Sequence, residues 1–197
     1  MTIERQLLLT ELNYTIWANK ILLEACSALS SEELSRPLVA SHTSIIRTLR
    51  HIYDGERACL HNLLTGAIPD IADMEAAGAA DQSRPDLTLD SLRQSWPDVW
   101  ATARQWIAQL SDEDLTVELS SRERDGTVIA VPRWEVILHM VNHSTLHRGQ
   151  IVNLFRALGK TARPILICSP TIGLKTGAGL ASPAEAGTLS DYGVSGL

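Results

Sequence analysis

The sequence is poor in the features that would send a chain into a membrane, out of the cell or onto nucleic acid. It has no uninterrupted run of about 18 apolar residues, so no transmembrane helix is expected. Its first residues, MTIERQLLLTEL, lack the basic segment, apolar core and small-residue cleavage site of a signal peptide, and the expected location is the cytoplasm. Cysteine is scarce: Cys26, Cys59 and Cys168 are far apart and odd in number. They form neither a disulfide framework nor a CxxC metal clip and read as reduced thiols. No block of Lys and Arg stands out and the net charge is −6, which argues against nucleic acid as a partner. No membrane partner is expected either. What is present is an ordinary apolar fraction, 45 %, in 197 residues, enough to bury a core without staples.

Four segments carry helical periodicity. The first runs from about Ile3 to Leu29 without Gly or Pro. LSSEEL follows, with Ser30 and Glu33 at capping-box spacing, and Pro37 limits it to about one turn. The second helix spans about Ser44 to Leu64, with Ile45, Leu49, Ile52, Leu60 and Leu63 on its core stripe. The third covers about Leu89 to Leu110, and Pro97 inside it should kink it or mark a restart. The fourth starts near Pro132 and ends at Leu158, with Gly159 as a left-handed cap.

The links differ in length. Thr65 to Thr88 is a connection rich in Ala, Asp, Gly and Pro, long enough to cross a bundle and leave its two helices parallel. VELSSRERDGTVIAV reads as a small hairpin turning at Asp125-Gly126. The expected architecture is all-α, a four-helix bundle over residues 1–163 with a β-hairpin before its last helix. Residues 164–197 read as an irregular tail without helical periodicity.

The chemistry is concentrated in HMVNHSTLHRGQ. His139, His143 and His147 are spaced i, i+4, i+8. Two histidines at i and i+4 can chelate one ion. The outer pair, about 12 Å apart along a straight helix, cannot easily share it. A third ligand must come from elsewhere, and His51 is the best candidate. It lies on the second helix, beside a face of small residues formed by Ser44, Thr48, Gly55 and Ala58. His42 and His61 read as ordinary core or surface residues. Asn142, Gln150 and Glu56 are candidates to orient the ligands by accepting the imidazoles' other N–H. Glu56 is equally readable as a buried partner of Arg148 or as a solvated residue. A neutral three-histidine set suits Zn²⁺, Ni²⁺, Co²⁺ or Fe²⁺ and fits Ca²⁺ or Mg²⁺ poorly. Three protein ligands leave a coordination position open, as catalytic zinc sites do.

NYTIWANKILLEA, SIIRTLRHIYDGERACL and HMVNHSTLHRGQIVNLFRALG, in this order, resemble the DinB-like family of DNA-damage-inducible metalloproteins, over roughly residues 1–163. The resemblance implies an up-down-down-up bundle. It also implies metal ligation by one histidine of the second helix and the two of the NHxxxH motif, which match His51, His143 and His147. His139 matches a position that is usually not a ligand. Relatives include thiol-dependent S-transferases and a thiol-dependent isomerase. The implied function is therefore a transferase using Zn or Ni and a low-molecular-weight thiol to attack a small-molecule electrophile, in a homodimer. A non-catalytic metal-binding stress-response protein is the alternative. A metal-dependent hydrolase ranks lower, because Glu56, the nearest base, points about 140° away from His51 on its helix. The tail departs from the family pattern.

Overall fold

The structure, a computed structural model, describes residues 4–38, 42–81 and 88–160, and of 77–81 the backbone alone. All of these belong to one compact unit. The expected tail, 164–197, lies outside the described residues. Four long helices form a bundle: α1 (Arg5–Cys26), α3 (Ile45–Thr65), α5 (Leu89–Gln109) and α7 (Arg133–Ala157). Two short helices, α2 (Ser31–Ser35) and α6 (Asp112–Leu115), follow α1 and α5. Each starts with a capping box, Ser30 with Glu33 and Ser111 with Asp114. α1 packs on α5 and α7, while α3 packs on the same two helices, so α1 and α3 are diagonal. The core between them includes Leu12, Leu22, Leu49, Ile52, Leu92, Ile107, Ile137 and Ile151.

Three local expectations change. The link between α3 and α5 contains a further helix, α4 (Ile71–Asp81). Its sequence, IADMEAAGAAD, is rich in Ala, which favours helix intrinsically, but carries no apolar stripe to announce one. Its start is tied to the hairpin β1 (Glu118–Arg122) and β2 (Val128–Pro132). Asp70 accepts from the Arg122 backbone at 3.0 Å, and Glu75 pairs with Arg124.

Pro97 does not break α5, which is continuous from Leu89 to Gln109. Pro97 is on the solvent face, so the carbonyl it leaves unpaired is open to water. Trp96 and Trp100, either side of it, are pinned into the core. The hairpin turns through three residues rather than two. Gly126 N–H donates to Glu123 O, Gly126 sits at φ 87°, and Glu123 N–H donates to Thr127 O. That is a type I turn closed by a left-handed glycine, a geometry in which Asp125 precedes the residue that needs positive φ.

Candidate metal centre

α3 and α7 lie side by side, and their histidines meet between them. The Ser44 side chain caps α3 by accepting from Arg47 N–H, and the buried stripe of Ile45, Leu49, Ile52, Leu60 and Leu63 orients the helix in the bundle. On α7, His143 and His147 are one turn apart and share a face. His51 Nε2 lies 2.9 Å from His143 Nε2 and 3.1 Å from His147 Nε2. One imidazole nitrogen carries either a proton or a lone pair, so it cannot satisfy two such neighbours at once. Two ligands on a metal at about 2.1 Å are about 3.0 Å apart at 90° and about 3.4 Å apart at the tetrahedral angle.

The rings agree with the nitrogens. A ligated imidazole places its centre about 3.2 Å from the ion, so ligands at 90° have centres about 4.5 Å apart. The observed separations are 4.7 Å for His51–His143, 4.4 Å for His51–His147 and 4.5 Å for His143–His147. The three rings form a nearly equilateral face, and the donor set fits a divalent transition metal.

Gly55, one turn after His51, allows this approach. A Cβ there would lie 2.7 Å from His143 Cε1 and 3.1 Å from its Nδ1. On the other side, His147 Nδ1–H donates to Gln150 Oε1 at 2.8 Å. That bond puts the proton on Nδ1 and leaves the Nε2 lone pair facing the cluster, the tautomer a metal ligand needs. His51 is pushed down to about 3, by burial first and then by His42, His147 and His143. His143 is pushed down to about 4, by burial first and then by His147, His139 and His42. Both imidazoles are therefore neutral at pH 7, with lone pairs available.

The other expected positions separate. Gln150 meets His147 as described. Asn142 is exposed, and its side chain makes no hydrogen bond to the described residues. It precedes His143 by one position, which turns it about 100° away around the helix. Glu56 faces the core instead of the histidines. It accepts from Asn19 Nδ2 at 2.7 Å, Trp96 Nε1 at 2.6 Å, Trp100 Nε1 at 3.0 Å and Ser144 Oγ at 2.7 Å. Burial raises its pKa, and those four hydrogen bonds oppose the rise. Arg148, also buried, reaches it through Asn19, whose Oδ1 accepts from Nη1 at 3.0 Å. The Glu56 carboxylate thus ties α1, α3, α5 and α7 together beneath the histidine face. His139 is exposed at the edge of the cluster, its ring 5.9 Å from that of His143. His61 is exposed too.

His42 is the residue that sequence reasoning missed. It precedes α3, and its ring stacks on that of His51 at 3.8 Å between centres, 23° from parallel. Its ring also meets His147 edge-on at 5.2 Å. Ligand atoms of His42, His51 and His147 all lie within 4.8 Å of one another. No periodicity marks a residue outside a helix; the available signal was a histidine two positions before the N-cap Ser44, a short reach from the start of α3.

The fold and the site define a class: helical-bundle proteins whose core-facing histidines can hold a metal. The chain belongs to the DinB family, whose sequence profile matches residues 4–167. It is 22 % identical over 152 residues to protein DinB of Bacillus subtilis (strain 168), spanning 77 % of this chain and 86 % of that one. Its fold is similar to the crystal structure of a DinB-like protein from Bacillus subtilis, with a TM-score of 0.53 and 15 % identity, covering 78 % of this chain and 95 % of that one. Among the described residues, no helix is long and apolar enough to cross a membrane.

Proposed function

We propose that this protein binds one Zn²⁺ or Ni²⁺ ion through His51, His143 and His147 and uses it as a thiol S-transferase. The observation that carries the reading is that His51 Nε2 lies 2.9 Å from His143 Nε2 and 3.1 Å from His147 Nε2 across the α3–α7 seam. Gln150 orients His147, Gly55 makes room for His143, and the neutral state of His51 and His143 keeps their lone pairs free. When bound, the ion lowers the pKa of a coordinated thiol so that the sulfur becomes a nucleophile near neutral pH. The neutral histidines would supply position and no charge, so the bound site would keep its net positive charge. Hydrolysis is disfavoured, because the Glu56 carboxylate is committed to four donors in the core and is not available as a base.

The test has two parts. Metal content of the purified protein is expected to be about one ion per chain and to be lost in His51→Ala. The Zn²⁺- or Ni²⁺-loaded protein is then assayed for conjugation of several low-molecular-weight thiols to electrophiles. Tight metal binding without turnover for any pair would overturn the transferase reading and leave a non-catalytic metal-binding stress protein.

A further inference from the structure

The three-histidine face does not account for His42. This residue comes from the connection between α2 and α3, not from a bundle helix, yet its ring is packed into the cluster. We propose that His42 is a fourth protein ligand to the same ion. The proposal rests on the metal reading above and is independent of the thiol chemistry.

Distance is the first argument. With ring centres about 3.2 Å from an ion, a separation of 5.2 Å corresponds to an angle of about 110°. His42 and His147 are at that separation. His42 and His51 are closer, at 3.8 Å, because the rings stack, and a modest swing of His42 away from His51 opens that angle. Ligand atoms of His42, His51 and His147 already lie within 4.8 Å of one another.

Backbone geometry is the second argument. Thr43, the next residue, has φ 59°, the only non-glycine residue with positive φ among the described residues. A β-branched side chain is strongly disfavoured there. Ser44 N–H donates to His42 O at 2.7 Å, closing a three-residue γ-turn around Thr43. Leu38 N–H donates to Thr43 O at 2.6 Å, and Ser44 is buried as the cap of α3. The chain is thus held in a costly turn by contacts on both sides, and the side chain this turn delivers is His42. Strain of this kind persists where the surroundings over-determine it, and it concentrates at ligand sites.

A fourth ligand from a loop differs from the other three. His51, His143 and His147 are fixed by helices, whereas His42 is carried by a short connection. It would fill the position a three-histidine site leaves open, and it is the ligand an incoming small molecule would displace. Binding of substrate and release of His42 then become one exchange at one vertex.

The experiment uses Co²⁺ in place of the native ion, because its visible absorption reports coordination number and ligand type. The full chain, His42→Ala, His42→Phe and His51→Ala are titrated with Co²⁺, with far-UV circular dichroism as a check on folding. Phe retains ring packing on His51 without a ligand atom, so it decides the matter if the Ala variant is unstable. The expected result is an affinity loss of ten-fold or more in both His42 variants with an altered visible band, and recovery of the wild-type band in His42→Ala on adding imidazole. Wild-type affinity and an unchanged band in both His42 variants, with binding abolished in His51→Ala, would overturn the proposal and leave the three-histidine site standing. Failure of the unaltered chain to bind Co²⁺, Zn²⁺ or Ni²⁺ would overturn both.

Discussion

Gly55 and His143 are packed so closely that a Cβ on the first would press into the imidazole of the second. That Cβ would sit 2.7 Å from His143 Cε1, well inside contact distance. Gly55→Ala therefore has two consequences of opposite sign. Alanine is the better helix former by about 1 kcal/mol. The displaced imidazole, however, no longer points at His51. We expect metal affinity to fall at least ten-fold while thermal stability without metal is unchanged or higher. Titration and a melting curve on the same variant check both.

The Glu56 network gives a stability prediction. Glu56→Ala removes the acceptor for two indole N–H groups, one amide and one hydroxyl, all buried. Leaving such donors unpaired costs about 1–3 kcal/mol each when nothing replaces the bond, and relaxation recovers part of the sum. The expected loss is about 3–5 kcal/mol, read from urea unfolding. Glu56→Gln keeps the shape but turns one acceptor oxygen into a donor facing other donors, so it too should destabilise, by less. Equal stability of Glu56→Ala and wild type would show that the network contributes nothing.

Gln150 acts through His147. Removing an oxygen that fixes a ligand's tautomer typically costs 10–100-fold in metal affinity. Gln150→Ala is expected to fall in that range, and Gln150→Glu, which still accepts from Nδ1–H, to bind metal at least as well as wild type. Competition with a chromophoric chelator measures both.

The depressed histidines set a pH dependence for the metal-free protein. His51 is at about 3 and His143 at about 4 in the fold, against about 6.5 in an unfolded chain. Below pH 6.5 the unfolded chain takes up protons that the folded chain refuses, so stability falls with pH. It is full above about pH 7, declines through the window from 6.5 to about 3–4, and then levels as far as these two groups are concerned. Urea midpoints at pH 7.5 and 5.0 are expected to differ by more in wild type than in His51→Asn. An excess of Zn²⁺ should raise the midpoint at pH 7.5, since a ligand that binds only the folded state stabilises it.

The four long helices were legible because their apolar residues recur every three or four positions, and that spacing is a property of the chain alone. The hairpin was legible for the same kind of reason, although its turn proved to use three residues. α4 was not, because Ala-rich helix without an apolar stripe looks like a connection. Cys26 reads plainly both ways: as a lone thiol in the sequence, and in the fold as a core residue whose thiol is pushed up to about 12 by burial.

For the site, sequence determined the His143–His147 pair, since four residues of α-helix always bring two side chains to one face. It also determined that His139 could not easily join both. Everything that depends on a second element was decided by packing. His51 is 92 residues from His143 along the chain, yet their nitrogens are 2.9 Å apart because α3 lies along α7 with a glycine at the crossing. The same packing turned Glu56 inward to four donors, left Asn142 in water, and folded a γ-turn that lays His42 on His51. Helical periodicity relates residues within one helix; it does not specify the angle at which another helix, or a loop, arrives.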